Sequence, residues 1–176
     1  MKSLRTFPAG SAGGPDSLTA AHLSDMLNSA TDDKLKHSLT DFVNLLLKSD
    51  LPVPVREILY EGRLIALQKR DGGIRPIDVG YTLRRLAAKC GNAFVIKRRN
   101  EELKPIQVGV GVSGGAEAAV HATRRLLSNL QDNNVFVKLD FTYAFNSVRR
   151  NTILTKVAQK MPELYRFTCD SLDCNS

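Results

Sequence analysis

The chain has 176 residues, a length that suits one ordinary domain or part of a larger one. Its hydrophobic content of 43% is enough to form a core, which excludes a wholly disordered chain. The 25 basic residues outnumber the 18 acidic residues, and the resulting net charge of +7 favours a polyanionic partner such as nucleic acid.

The cysteines and the apolar runs limit where the protein is expected to work. Cys90, Cys169 and Cys174 are too widely spaced for a disulfide framework or a zinc-binding pair, which indicates a reducing compartment. Residues 1–14 lack the apolar core of a signal peptide, and no apolar run reaches membrane-spanning length. We therefore expect an intracellular protein, nuclear or cytoplasmic, with no membrane partner.

The N-terminal part is predicted to be helical after a flexible start. Residues 1–16 are rich in Gly, Ser, Ala and Pro, so we expect a flexible segment there. Helices are predicted over residues 17–29 and 33–48, and the second has apolar residues at helical spacing that predict a buried face. Pro52 and Pro54 should then break the helix, because proline cannot continue it.

A β-hairpin is predicted over residues 63–79. An apolar strand leads to the turn at residues 71–73, Asp-Gly-Gly, and a second strand returns from it. Lys69 and Arg70 stand just before the turn, and Arg75 stands just after it. The tip of the hairpin should therefore be strongly cationic.

The C-terminal half contains the candidate catalytic carboxylate, Asp140. Asp140 follows a short apolar run that predicts a buried strand, and a strand end can direct a carboxylate towards a metal ion. Nucleotide polymerisation uses carboxylates that hold two Mg²⁺ ions about 3.5 to 4 Å apart. Taken alone, an aspartate at a strand end more often forms a turn or caps a helix than binds a metal ion. The elements predicted in this half are a helix over 82–100, a glycine-rich segment over 107–115, a helix over 116–130, the strand over 135–139, and helices over 151–160 and from 163 onward.

The spacing Asp-x-x-x-Ala-Phe that begins at Asp140 resembles the first aspartate motif of reverse transcriptases. The resemblance implies that Asp140 and the main-chain carbonyl of Phe141 are magnesium ligands. It further implies that Ala144 lets the backbone approach the triphosphate and that Phe145 excludes a 2′-hydroxyl from the incoming nucleotide. Without the resemblance, Phe145 would be read as an ordinary core ring.

The hairpin resembles the fingers segment of the same enzymes, Lys-x-x-Gly-x-x-Arg-Pro-Ile. The resemblance implies that Lys69 and Arg75 grip the incoming triphosphate. Lys69 is preferred to Arg70 for this role because the turn looks short. A solvated hairpin tip without a ligand is the alternative interpretation of the hairpin when it is taken alone.

The glycine-rich segment permits two interpretations. Gly109, Gly111 and Gly114 match the pattern GxGxxG, which in a dinucleotide-binding unit cradles phosphate at a helix N-terminus. Asp140, however, lies farther downstream than the usual acidic residue of such a unit. The segment also resembles the Gln-x-Gly sequence that precedes the first aspartate motif in reverse transcriptases, and this implies that Gln107 and Gly109 lie near the template.

The resemblance covers most of the chain and is greatest to the reverse transcriptases of non-LTR retrotransposons. It implies an α+β fold, a right-hand polymerase fingers domain with a partial palm, over residues 17–176. Its partners would be an RNA template, a DNA primer and deoxynucleoside triphosphates, and its cofactor would be Mg²⁺ once the palm is complete. The oligomeric state stays open.

The second catalytic motif of the family, Tyr or Phe followed by x-Asp-Asp, is missing from these residues. The pair Asp32 and Asp33 is the sole Asp-Asp sequence, and it stands at a predicted helix start. We therefore expect a truncated domain that is inactive by itself, with an unpaired palm-sheet edge. The alternative is a non-catalytic nucleic-acid-binding or interaction module derived from a retroelement, for which basic clusters such as residues 97–99 are the basis.

Overall fold

The computed structural model describes residues 2–103, 106–141 and 144–173, and within them the fold mixes helices with a two-stranded antiparallel sheet. No helix in these ranges combines the length and apolar composition needed to cross a membrane. The elements are α1 (Ala20–Ser29), α2 (Lys34–Lys48), α3 (Val53–Tyr60), β1 (Gly62–Gln68), β2 (Ile74–Gly80), α4 (Thr82–Leu103), α5 (Gly115–Ser128), α6 (Ala144–Ser147), α7 (Arg150–Lys160) and α8 (Tyr165–Asp173).

The chain divides into two compact units. The first contains Met1–Asn92 together with Arg150–Ser176, and the second contains Ala93–Arg149. The core of the first unit forms where α1, α2 and the start of α4 bury their apolar faces. The predicted buried face of α2 is confirmed, since Leu46 is only 1% exposed. The core residues are Leu4, Ala20, Leu23, Leu27, Val43, Leu46, Tyr60, Leu86, Ala87 and Phe167.

Local hydrogen bonds explain where the first helices begin. Thr19 caps α1, because its hydroxyl accepts from the backbone N–H of His22 at 3.2 Å. Asp16 accepts from the Leu18 N–H at 3.1 Å, so it supports the turn before the helix rather than the cap. Helix α2 ends at Lys48, before the prolines predicted to break it, because Ser49 adopts a left-handed φ of 59° and its N–H bonds back to the carbonyls of Leu45 and Leu46. The prolines instead open α3, a helix that the sequence pattern does not predict. Pro54 lies in the first turn of α3, where a missing backbone N–H costs little.

The last helix, α8, is joined to the N-terminal half by a buried ion pair. The Asp170 carboxylate is 9% exposed and accepts from Arg56 Nη1 at 2.7 Å. The Ser49 hydroxyl donates to the other oxygen of the same carboxylate. These contacts join residues more than a hundred positions apart, so they hold together the two parts of the discontinuous first unit.

The N-terminal segment packs against α4. Leu4 is buried, and the Phe7 ring lies beneath the cations of Arg85 and Lys89, at 5.2 Å and 4.8 Å from its centroid. Arg85 Nη1 also donates to the Ala12 carbonyl at 2.6 Å. Much of residues 2–16 is therefore in contact with the helix, while the predicted flexibility of this segment stays a prediction.

The palm strand predicted over residues 135–139 is wrong. This run forms no β-ladder, and all of its side chains are exposed. In the part of the chain that the structure describes, the sheet consists of β1 and β2, which pair with each other. An apolar run becomes a strand only when a neighbouring strand takes up its backbone hydrogen bonds. Residues 135–139 have the composition of a strand but lack that neighbour.

Candidate nucleotide-binding site

The predicted hairpin is confirmed, and its turn has a short, well-bonded geometry. The Lys69 N–H donates to the Gly73 carbonyl at 2.7 Å, and the Gly72 N–H donates to the Lys69 carbonyl at 3.1 Å. Gly72 has a φ of +84°, in the left-handed region that glycine adopts without strain. A side-chain hydrogen bond also stabilises the turn, since the Asp71 carboxylate accepts from the Gly73 N–H at 3.1 Å.

The register of the hairpin decides which cations share a face. Arg75 stands opposite Leu67 in the ladder, and side chains directly opposite each other lie on the same face. Lys69 is two residues beyond Leu67, and its hydrogen bond to Gly73 continues the pairing, so Lys69 lies on that face as well. Arg70 belongs to the turn. The structure therefore brings Lys69 and Arg75 together on one face of the hairpin.

The face that carries Lys69 and Arg75 is the less exposed side of the hairpin. Ile65 and Ile77 stand opposite each other on it and are half-buried, whereas the residues of β1 on the other face are exposed. Lys69 and Arg75 themselves are exposed near the tip of this face, so a ligand can reach both side chains.

The hairpin tip forms a concavity with excess positive charge. Its volume is about 490 Å³. Neither Lys69 nor Arg75 forms an ion pair within residues 2–103, 106–141 and 144–173, so both charges are open to a ligand. The residues that line the concavity are Leu67, Gln68, Lys69, Arg70, Asp71 and Arg75.

The base of the hairpin is fixed to the first unit by Arg84 of α4. Arg84 Nη1 donates to the Tyr60 carbonyl at 2.7 Å, and its guanidinium lies 5.5 Å from the centroid of the Tyr60 ring. Arg84 Nη2 lies 3.9 Å from the Asp78 carboxylate on β2. One side chain thus joins the last residue of α3 to the second strand of the hairpin, at the end of the ladder away from the turn.

Two glycines make this anchoring possible. Gly62 and Gly80 stand opposite each other at the base of the ladder. A Cβ on Gly80 would lie 2.0 Å from Arg84 Nη2, and a Cβ on Gly62 would lie 1.7 Å from an Asp78 carboxylate oxygen. Local sequence patterns do not predict the role of these glycines or of Arg84. The available signal was the symmetric placement of two glycines around the turn.

The residues predicted around Asp140 belong to the second unit, whereas the hairpin belongs to the first. Asp140 and Phe141 are exposed and lie in no helix or strand, and Ala144 begins α6. The side chain of Phe145 lies outside the described residues, so its predicted role at the sugar stays a prediction. Among residues 2–103, 106–141 and 144–173, no three His, Cys, Asp or Glu side chains gather as a metal site. The donor set described at Asp140 therefore does not fit a two-ion centre by itself.

The glycine-rich segment owes its sequence to local geometry. Gln107 Oε1 accepts from the backbone N–H groups of Gly109 and Val110, the latter at 3.0 Å. A Cβ on Gly115 would lie 1.8 Å from the Val108 carbonyl oxygen, so the close approach requires glycine. No strand flanks this segment within residues 106–141, and a dinucleotide-binding unit needs one on each side. The predicted template contacts of Gln107 and Gly109 stay predictions.

A comparison of the chain with known proteins found no family model, no curated protein and no solved structure that matches it.

Proposed function

We propose that the hairpin over β1 and β2 grips the triphosphate of an incoming deoxynucleotide. In this proposal the chain supplies the fingers and the first carboxylate of an RNA-directed DNA polymerase domain of the reverse transcriptase type. The single observation that carries the proposal is the placement of Lys69 and Arg75 on one face of the hairpin, next to the tip concavity. The sequence motifs supply the choice of ligand.

The chemistry of the two cations suits a triphosphate. The guanidinium of Arg75 can donate two parallel hydrogen bonds to one phosphate, while the ammonium of Lys69 acts as a compact point charge on the next. Charge-assisted hydrogen bonds of this kind contribute about 1.5 to 3 kcal/mol each. The Arg84 anchor holds the base of the hairpin, so the tip can approach a ligand without losing its register.

Asp140 is proposed as one magnesium ligand of the complete enzyme, together with the Phe141 carbonyl. Ala144 and Phe145 would lie beside the nucleotide, and Gln107 and Gly109 would lie near the RNA template. A two-ion centre needs further carboxylates. We therefore expect these residues alone to bind nucleotide without extending a DNA primer. Primer extension by the purified chain that Asp140→Ala abolishes would contradict this expectation.

The test of the proposal is a titration of the chain with a deoxynucleoside triphosphate at low salt. Lys69→Ala and Arg75→Ala should each weaken binding roughly tenfold, as expected for the loss of one charge-assisted contact. Arg63→Ala is the matched control, since it removes the same charge from the base of β1, outside the residues that line the concavity. An equal loss in all three variants would reduce the effect to net charge, and an absence of binding would refute the proposal.

A second candidate function is nucleic-acid binding without catalysis. Its support is the basic run on α4, where Lys97 and Arg98 are exposed. The Arg98 guanidinium lies 4.6 Å from the centroid of the partly exposed Phe94 ring, an arrangement that offers both a charge and a stacking surface to a base. Arg99 is paired with Glu102 on the same helix.

A gel mobility-shift assay of RNA binding at several salt concentrations distinguishes the two candidate functions. Under the binding-module account, replacing Lys97, Arg98 and Arg99 by alanine should lower the salt slope of the binding constant by roughly 2, and Asp140→Ala should have no effect. A variant that lacks the exposed Lys48, Lys156 and Lys160 controls for net charge. An equal loss in both triple variants would count against a specific RNA surface on α4.

A further inference from the structure

The run over residues 135–141 exposes an unusual amount of apolar surface. Val137 is 67% exposed, Leu139 is 76% exposed and Phe141 is 74% exposed. The whole run lies outside helices and strands. Contiguous exposed apolar residues mark interaction surfaces, and a run without a ladder has backbone groups free to form one.

We propose that residues 137–141 pair antiparallel with the same residues of a second copy of this chain, in a register centred on Leu139. The proposal is independent of nucleotide binding at the hairpin. A second copy is the expected partner because the charges of the run, Lys138 and Asp140, are complementary to each other in this register.

The alternation of the run defines two faces once it is extended. Val137, Leu139 and Phe141 would share one face, and Lys138 and Asp140 would share the other. In the register centred on Leu139, Lys138 stands opposite the second copy's Asp140, and Asp140 stands opposite the second copy's Lys138. On the apolar face, Leu139 meets its own counterpart, and Val137 meets Phe141 twice.

The neighbouring registers are disfavoured by the same charges. A register centred on Lys138 places two ammonium groups directly opposite each other, and one centred on Asp140 does the same with two carboxylates. Like charges opposite each other destabilise a strand pair. A slip of one residue would place the apolar face of one copy beside the charged face of the other. Charge and alternation therefore favour the register centred on Leu139 over these neighbours, and the resulting contact has the two-fold symmetry typical of homodimers.

Pairing would also change what Asp140 can do. A carboxylate that is paired with the Lys138 ammonium of the second copy has less negative charge to offer a metal ion. Self-association and a magnesium site at Asp140 would therefore compete, and the self-paired form would belong to a chain without the remaining catalytic carboxylates.

The test is sedimentation equilibrium of the full chain over a wide range of protein concentration, without nucleotide. The wild-type chain should associate to dimers. Lys138→Glu and Asp140→Lys should each weaken association on the order of tenfold or more, because each turns two attractive cross-strand pairs into two repulsive ones. Both side chains are exposed, so neither change should unfold the chain, and circular dichroism checks this.

Charge complementation is the decisive part of the design. An equimolar mixture of the two single variants restores opposite charges at both pairs, so it should form heterodimers with the wild-type affinity. The two changes combined in one chain should restore homodimers for the same reason.

The proposal is overturned if the wild-type chain is monomeric throughout, or if its association or aggregation is indifferent to the single changes. It is equally overturned if the mixture fails to associate while the variants keep their fold. None of these outcomes bears on nucleotide binding by Lys69 and Arg75, which the titration with nucleotide tests separately.

Discussion

Two apolar runs of similar composition have opposite fates in this chain. The run in β1 pairs along its whole length with β2, whereas residues 135–139 remain outside any ladder and exposed. The first run has its partner within reach, because the turn at residues 71–73 reverses the chain immediately. The second run is followed by Asp140 and the four-residue helix α6, and none of the described residues up to Asp173 forms a return strand. The contrast shows that an apolar composition allows a segment to become a strand, but that the strand forms only where a second strand pairs with it.

The largest expected loss of stability follows from removing Arg84, which anchors the base of the hairpin formed by β1 and β2. Arg84→Ala removes a charge-assisted hydrogen bond to the Tyr60 carbonyl and a cation–π contact, so it should lower the free energy of unfolding by about 3 kcal/mol. Chemical denaturation measures the change, and Arg63→Ala on the exposed part of β1 is the control, with an expected change within about 0.5 kcal/mol. Equal losses in the two variants would refute the anchoring role.

A smaller effect is expected at the turn that brings the partner back. Gly72→Ala should cost about 1 kcal/mol, because its φ of +84° is strained for any residue with a Cβ while the space around it is empty. Gly73→Ala is the matched control, since its φ is ordinary and the new methyl group meets only flexible side chains. If thermal unfolding shows the same shift for both, the strain at Gly72 is not what shapes the turn.

The last prediction compares the same substitution, Val to Thr, in the two runs, and its smaller value is expected at Val137. Val79→Thr in the half-buried end of β2 should cost about 1 kcal/mol, because it places a hydroxyl in a packed position. Val137→Thr should change the stability of the dilute chain by less than about 0.5 kcal/mol, because Val137 already faces solvent. A large loss at Val137 under dilute conditions would show that the run is packed within a single chain.

The sequence predicts the local features of the fold well. Helix α2 and the hairpin follow from the apolar spacing and from the Asp-Gly-Gly turn, which act over a few residues. Helix α3 does not follow from the sequence pattern, because Pro54 predicts a helix break although proline is tolerated in a first helical turn. The strand predicted over residues 135–139 is wrong because none of the described residues pairs with this run.

The features of the candidate site likewise fall into those that local sequence predicts and those that depend on distant contacts. The shared face of Lys69 and Arg75 could be predicted, because a short turn and a two-residue alternation determine the face on which each side chain lies. The Arg84 anchor could not, because its partner Tyr60 is 24 residues away and the contact depends on the packing of α4. The ion pair between Arg56 and Asp170 spans 114 residues and is likewise invisible to local patterns.

Hydrogen exchange of the dilute chain, with and without a saturating deoxynucleoside triphosphate, tests the central claim most directly. The amides of β1 and β2 should be protected in both conditions, and those of Lys69, Gly72 and Gly73 at the turn should gain protection when nucleotide binds. The amides of residues 135–141 should exchange rapidly throughout. Unchanged protection at the turn, or a gain confined to other parts of the chain, would contradict the assignment of the hairpin as the nucleotide-gripping element.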